Sequence, residues 1–404
     1  MKIKKIMSGV FAAALLLMGG QTAFCVQGTN NTSNQNSGTN TAINAAYSGA
    51  TVTQKEAVVG ASAATSSAVA GAVSSPSGGS TGAATNAIGS RIDDHLSTMM
   101  AIYQQRKEYI AQKSMTQPVG PAGSGAQVRI DKLQKAWGRY TSTWGDQNSI
   151  NGNGGYDFVS HGPVFGYDKF ITDRFLVGGL FGYSRTEVEA DGGAEVDVNS
   201  YMGGVYGSYL FSDVDYLNFV FSYARSNIDS SNTISGLGSM SGDTDANGWV
   251  VVGEYGHKFL LKNSFIVTPV AGFVLSLSDV EGYKTSVTGT YKTEEYADSK
   301  TKFFSSRIGV KGDWLFSPTG TLKAKALWMH EYSSDNEPVT EVRYGTQSSF
   351  VNVKGLDPGR DKGLFSLGLK YGFMNGIVLD IDADFTVGEE YEAWTTSGKI
   401  EYPF

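Results

Sequence analysis

Between about residue 130 and the end of the chain, apolar side chains fall at every second position in run after run. This two-residue period limits the chain to few architectures. In "LFSLGLKYGF", Phe365, Leu367, Leu369, Tyr371 and Phe373 oppose Ser366, Gly368, Lys370 and Gly372. In "TLKAKALWMHEY", Leu322, Ala324, Ala326 and Trp328 oppose Lys323, Lys325 and, further on, Glu331. In "WVVVGEYGHKF", Trp249, Val251, Tyr255 and Phe259 oppose Glu254 and Lys258, and "YLNFVFSY" gathers Leu217, Phe219, Phe221 and Tyr223. Successive side chains of a strand point to opposite faces, so this period predicts strands with one apolar and one polar face. Each run is roughly ten residues long, the length a tilted strand needs to cross a bilayer.

The run "NGIVLDIDADFTVG" tests this reading, because Asp380, Asp382 and Asp384 also fit the start of a calcium loop. An EF-hand beginning at Asp380 needs Gly at its sixth position and a bidentate Glu at its twelfth. Those positions hold Phe385 and Tyr391, so the sharp turn and the closing ligand are both missing. The alternate face is Ile377, Leu379, Ile381, Ala383, Phe385 and Val387, which is apolar throughout. A strand is therefore predicted, with its acids turned away from its apolar side.

The connections supply the second constraint. Short links such as "DKFITDR", "FSDVD", "LLKN", "SPTG" and "FMNG" alternate with long polar ones: "TEVEADGGAEVDVN", "RSNIDSSNTISGLGSMSGDTDANG" and "SSDNEPVTEVRYGTQSSFVNVKGLDPGRDKG". Short turns on one rim and long loops on the other characterise outer-membrane barrels. A soluble β-sandwich also alternates, but its apolar face would meet a second sheet. The loop rhythm, an export signal and only 9 prolines favour a closed barrel. The expectation is an all-β, 12-stranded antiparallel transmembrane outer-membrane β-barrel over residues 130–404, with both ends on the short-turn, periplasmic side. Asp380, Asp382, Asp384, Lys370, Lys323, Lys325 and Glu254 would then be lumen-facing charges.

Upstream of the barrel the chain changes character. Lys2, Lys4 and Lys5 precede the apolar core "VFAAALLLMGG", which is too short to span a bilayer, so residues 1–25 read as a signal peptide cut after Ala23 or Cys25. Cys25 is the single cysteine, so no intramolecular disulfide can form, and the bulky Phe24 before it argues against lipidation. Residues 26–89 are a low-complexity Ser/Thr/Asn/Gly/Ala-rich tract with few large apolar side chains. It is read as disordered, because burial cannot offset its ordering entropy. Residues 90–113, "SRIDDHLSTMMAIYQQRKEYIAQK", predict one helix: Ser90 caps it, Asp93 and Asp94 suit its first turn and Lys113 its last. Ile92, Leu96, Met99, Tyr103 and Ile110 recur near helical spacing. Residues 114–129, containing "PVGPAGSG", form a linker. A net charge of −7 gives nucleic-acid binding no electrostatic footprint.

Residues from about 130 to 404 resemble the C-terminal β-barrel translocator domain of monomeric, type V autotransporters. "AWGRYTSTWGD" is similar to that family's first strand, and "GPVFGYDKFITDRFLVGGLFGYSRTEVE" to its second hairpin. "VNSYMGGVYGSYLF", "DANGWVVVGEYGHKF", "IVTPVAGF", "ALWMHEY" and "GLDPGRDKGLFSLGLKYGF" follow in the family's order. The resemblance implies a helix in the barrel lumen just before the first strand, where 90–113 stands, and export of the N-terminal tract as a short passenger at the cell surface. It further implies transit through the general secretory translocon and insertion by the barrel-assembly machinery, which would read Tyr402 and Phe404 as a C-terminal assembly signal. Pro403 removes a ladder donor within that signal. Family passengers are usually long β-helices, and this one is a short polar tract.

No catalytic, cofactor-binding or metal site is predicted. Neither a G-x-S-x-G elbow nor an H-E-x-x-H pair occurs, and His330 and Glu331 fall on opposite faces. His257 and His330 stand among aromatics near strand ends; His161 near Asp157 is the one rim pair to consider. The resemblance implies that self-cleavage, where it occurs, uses an Asn next to lumen acids; the helix 90–113 contains no Asn, so self-cleavage there is not expected. The predicted protein is a monomer in outer-membrane lipid that displays its passenger; a plain outer-membrane pore is the alternative.

Overall fold

The computed structural model describes residues 45–47, 134–149, 155–172, 174–191, 193–261, 264–332, 339–354, 359–374 and 376–403. All belong to the unit Gln35–Phe404. The segments read above as signal peptide, helix 90–113 and linker lie outside the described residues, as does the 26–89 tract except at 45–47.

The first six strands are β1 (Gln134–Gln147), β2 (Tyr156–Thr172), β3 (Phe175–Ala190), β4 (Ala194–Leu210), β5 (Asp215–Ile234) and β6 (Gly238–His257). There follow β7 (Phe259–Leu261), β8 (Phe265–Val280), β9 (Tyr283–Lys284), β10 (Ser286–Val287), β11 (Glu294–Tyr296) and β12 (Ser299–Leu315). The last are β13 (Gly320–Glu331), β14 (Val339–Tyr344), β15 (Val351–Lys354), β16 (Asp361–Gly372), β17 (Val378–Val387) and β18 (Tyr391–Pro403). Strands β1–β6, β8, β12, β13, β16, β17 and β18 pair antiparallel in that order, and β1 pairs with β18 from Lys135↔Pro403 to Gln147↔Tyr391. The sheet closes into a twelve-stranded barrel, and closure removes its exposed edges. No described helix is long and apolar enough to cross a membrane.

The outward face shows where lipid lies. On β3 it carries Phe175, Phe181 and Tyr183, then Arg185, Glu187 and Glu189; on β4 it carries Tyr209, Val205 and Tyr201, then Asn199, Asp197 and Glu195. The switch from apolar to charged marks the outer interface. Tyrosines at this level donate hydrogen bonds away from the apolar band: Tyr183 to Asn199 Oδ1 at 2.7 Å and Tyr223 to Asn247 Oδ1 at 2.5 Å. At the opposite rim Tyr255 donates to Asp215 Oδ1 at 2.7 Å and Tyr167 to Gln134 Oε1 at 2.5 Å. From Phe175 to Tyr183 the strand rises about 27 Å at roughly 3.4 Å per residue. At a tilt near 40° that is about 20 Å of height, close to the apolar band of an outer-membrane barrel.

Two of the segments read as long loops are instead strand. "TEVEADGGAEVDVN" is the end of β3 and the start of β4, and "RSNIDSSNTISGLGSMSGDTDANG" is a β5–β6 hairpin whose turn is only Ser235–Leu237. Above the outer interface the polarity of the faces inverts. Acids point outward to water while Val188, Val196, Val198, Ile228 and Ala246 pack inside with Phe158, Tyr391 and Ala393. Still further out, β15, β14, β11 and β9 form a second, four-stranded sheet from the β8–β12 and β13–β16 connections. Tyr291, Tyr296, Val342, Tyr344 and Val353 form its core together with Ile234, Leu237 and Met240 of the β5–β6 tip.

Candidate functional site: the barrel interior

The inward face within the membrane band has two walls of different chemistry. Along β2–β6 it carries an apolar cluster that includes Val164, Leu180, Met202, Val220 and Val250. Along β13, β16–β18 and β1 it carries charge. The two walls could together hold an amphipathic segment, with grease against one side and ion pairs against the other.

The charged wall is built around β17. Asp380, Asp382 and Asp384 alternate with Ile381 and the other outward residues, and all three are buried. Lys323 of β13 lies 2.6 Å from Asp380 and 2.9 Å from Asp382, reaching them across the intervening strand β16. The crossing depends on Gly368, which the register sets between Lys323 and Asp382. A Cβ there would overlap the Asp382 carboxylate and stand 2.9 Å from Lys323 Cε. Lys399 of β18 lies 3.3 Å from Asp380 and 3.1 Å from Glu401, which Lys135 of β1 reaches at 3.3 Å. Arg139 of β1 lies 3.2 Å from Asp382 and donates to Ser397 as well. Lys325 reaches Asp384 at 3.7 Å, and Lys370 stands opposite Asp380 in the β16–β17 register, buried. Glu254 of β6 is buried and takes Lys311 at 2.6 Å. Buried charges arranged this way are tolerated because each has an opposite charge within reach.

Sequence reasoning missed five of these twelve charges. Arg139, Lys399, Glu401, Lys135 and Lys311 share the inward face with the named residues, and the same two-residue period in "SGKIEYPF" and "LQKAWGRYTS" would have found most of them. A second inward chain was also missed. Trp137 Nε1 donates to Tyr206 Oη at 2.7 Å, and Tyr206 donates to Asp168 Oδ2 at 2.7 Å. The Trp137 ring covers Gly166 and the Tyr206 ring covers Gly178, where a Cβ would strike them. Tyr402 points outward beside Ile400, and Phe404 lies outside the described residues.

Two of the histidines are held as rim pairs. His257 Nδ1 is 2.6 Å from Asp215 at the short-turn end, and His330 Nδ1 is 2.9 Å from Asp361 at the other. Ser212 bonds to the same Asp215, not to His257, so this trio has no nucleophile–base contact. Asp157 and His161 lie four residues apart on one face of β2, about 13 Å at the strand's rise, too far to act together. Among the described residues no three His, Cys, Asp or Glu side chains group to hold a metal ion.

A closed twelve-stranded barrel with an apolar outer band, aromatic belts and a polar interior is an outer-membrane β-barrel, placed in the outer membrane of a Gram-negative-type bacterium. A family profile described as autotransporter β-domain matches residues 136–384, more than half of the chain, and the protein belongs to that family. YaiT of Escherichia coli (strain K12) is 24% identical over 280 residues, covering 66% of this chain and 26% of that protein. Outer membrane protein A of Rickettsia rickettsii is 24% identical over 302 residues, covering 70% of this chain and 13% of that one. The chain thus matches only a fraction of these relatives' length. Among solved structures, the translocator domain of the autotransporter NalP from Neisseria meningitidis aligns with TM-score 0.57 at 13% identity, over 76% of this chain and 97% of that one. The β domain of the Bordetella autotransporter BrkA aligns with TM-score 0.52 at 17% identity, over 67% of this chain and all of the other. These two are likenesses of fold.

Proposed function

We propose that the barrel exports its own N-terminal tract and holds it at the cell surface. One observation supports this reading above the others. Tyr47 is seated among the outer connections, while Gln134, the first barrel residue described, lies at the short-turn rim beside Pro403. A chain anchored at both points has to pass from one side of the membrane to the other. With the sheet closed and lipid outside it, the lumen is the route that keeps backbone polar groups out of hydrocarbon.

On this reading residues 90–113 occupy the lumen as a helix, with Asp380, Asp382, Asp384, Lys370, Lys323, Lys325 and Glu254 forming the wall that receives it. Residues 1–25 direct the chain to the secretory translocon. Tyr402 and Phe404 address it to the barrel-assembly machinery. No catalytic role is assigned; the work is anchoring and transport. The test is an epitope inserted at residue 40 and antibody applied to intact cells. Surface labelling supports export, and labelling only after permeabilisation would replace it with a plain pore. Deleting 90–113 should raise conductance in planar bilayers, and unchanged conductance would remove the helix from the lumen.

A further inference from the structure

We infer that the outer four-stranded sheet and the β5–β6 tip form a docking site for the chain's own Tyr47, latching the exported tract to the mouth of the barrel. Between residues 26 and 89 Tyr47 is the sole aromatic residue in a run of small and polar side chains. Such a tract has almost nothing else with which to grip a surface, since an aromatic ring buries far more area than Ser, Ala or Asn can.

Tyr47 is buried to 3% exposure. Its ring meets Tyr291 edge-on with centroids 6.1 Å apart, a preferred geometry for aromatic pairs. The hydroxyl accepts from the backbone N–H of Lys292 at 3.0 Å and donates to the Lys292 carbonyl at 3.4 Å, so both polar groups of that residue's main chain are engaged. The same buried cluster holds Ile234, Leu237 and Met240 of the β5–β6 tip, Tyr291 of the β8–β12 connection and Tyr344 of the β13–β16 connection, with Ala46 packed alongside. The site is therefore composite: the β5–β6 tip, the β8–β12 connection and the β13–β16 connection must all be in place before the ring can be seated. Glu295 of the β8–β12 connection ties it to the β13–β16 connection through Arg343, and takes Lys284 of its own connection at 3.1 Å. Burial pushes the phenols of Tyr47 and Tyr291 up from their ordinary value, in keeping with a dry seat.

The consequence is a tether. Residues before Tyr47 extend from a fixed point on the cell surface, whereas residues after it are held between that point and the first strand. The latch rests on the export reading, and the test separates the two. Residues 26–89 contain no aromatic other than Tyr47 and no Leu or Met, so chymotrypsin has one preferred bond in the tract. On intact cells carrying the residue-40 epitope, antibody binding reports export, and chymotrypsin release of a fragment ending at residue 47 reports an open latch. Rates are normalised to the same bond in a free peptide of residues 40–54. Tyr47→Phe keeps the cleavage site and loses both hydrogen bonds, so release should quicken about five- to tenfold where cleavage follows the open population. Tyr291→Ala, checked for barrel folding by its gel mobility without heating, should quicken it further. Equal release from the native chain and both variants overturns the latch. If antibody fails to bind intact cells, export is overturned instead, and the same digestion on the purified full chain in detergent decides the latch by the same criterion.

Discussion

Replacing Lys323 by Met tests whether the charged wall is one network or a set of independent surface pairs. Lys323 Nζ stands 2.6 Å from Asp380 and 2.9 Å from Asp382, with its side chain only 16% exposed. Removing one partner of a buried pair costs roughly 3–5 kcal/mol, because the remaining charge is left unpaired. Here each carboxylate keeps a second cation, Lys399 at 3.3 Å for Asp380 and Arg139 at 3.2 Å for Asp382. The expected loss therefore falls at the lower end, about 3 kcal/mol. Lys300→Met is the internal control: its pair with Asp279, at 3.3 Å, is exposed on both sides, which places it at about 1 kcal/mol or less. Equilibrium unfolding of the folded barrel in lipid vesicles, followed by tryptophan fluorescence, measures both. The double variant Lys323→Met with Asp380→Asn should recover about 1–3 kcal/mol relative to the sum of the singles. Equal costs at 323 and 300, or strict additivity in the double variant, would refute the network.

Three further outcomes follow from the same geometry. Gly368→Ala should destabilise the barrel by about 1–3 kcal/mol through strain against Asp382 and Lys323, while Gly312→Ala, which meets nothing within 4 Å, should be near neutral in the same unfolding assay. Leu367→Arg, on the lipid face of β16, should cost roughly 2–4 kcal/mol in bilayers, whereas Asp229→Arg, outward on the β5 extension above the outer interface, should stay within about 0.5 kcal/mol. The hydrogen bond from Arg343, helped by Lys284, holds the Glu295 carboxyl below the usual glutamate range. Its folded value is depressed, so its contribution is present above the unfolded value near 4.3 and fades as pH falls through the lower folded one. Amide-exchange protection at Lys292, corrected for intrinsic rates, should hold from pH 8 to about 5 and drop only below about 4.

The twelve crossings were legible because lipid enforces a strict rule on one face of every strand. Phe365, Leu367, Leu369 and Tyr371 keep that face apolar without a break. The inward face follows a looser rule, since a lumen accepts Lys, Asp, Gly, Trp or Val, and so Trp137 and Tyr206 did not announce themselves as lumen residues. The hairpin extensions were misread for a related reason. In β5–β6 the alternation is between Ser, Asn and Ile on one side and Asp, Asn and Ser on the other, a contrast too weak to register as a strand. In β3–β4 the signal was present, with Glu187, Glu189, Glu195 and Asp197 between Val188, Ala190, Val196 and Val198. It differs from the membrane-spanning rungs because the apolar face there is the inner one. The property common to every strand is the period, whichever face is apolar.

That inversion has a mechanical meaning for the outer mouth. Within the bilayer the strands are fixed by lipid on the outside and by ion pairs on the inside. Above it, water takes the place of lipid, and the strands stay paired only if apolar side chains move to the interior, as Val188, Val196, Val198 and Ile228 do. The same substitution continues outward into the cluster of Ile234, Leu237 and Met240, and there the interior surface is completed by residues from distant parts of the chain, Tyr291 and Tyr344 among them. An apolar interior carried beyond the membrane has to be closed off at its top. Tyr47 occupies part of that closure, so the residue that tethers the N-terminal tract also contributes to the hydrophobic top of the barrel. Losing its ring should therefore loosen the β5–β6 tip as well as free the tract, and amide exchange at Ile234–Leu237 in a Tyr47→Ala chain would show faster opening there while the rungs around Val220 and Val252 stay protected.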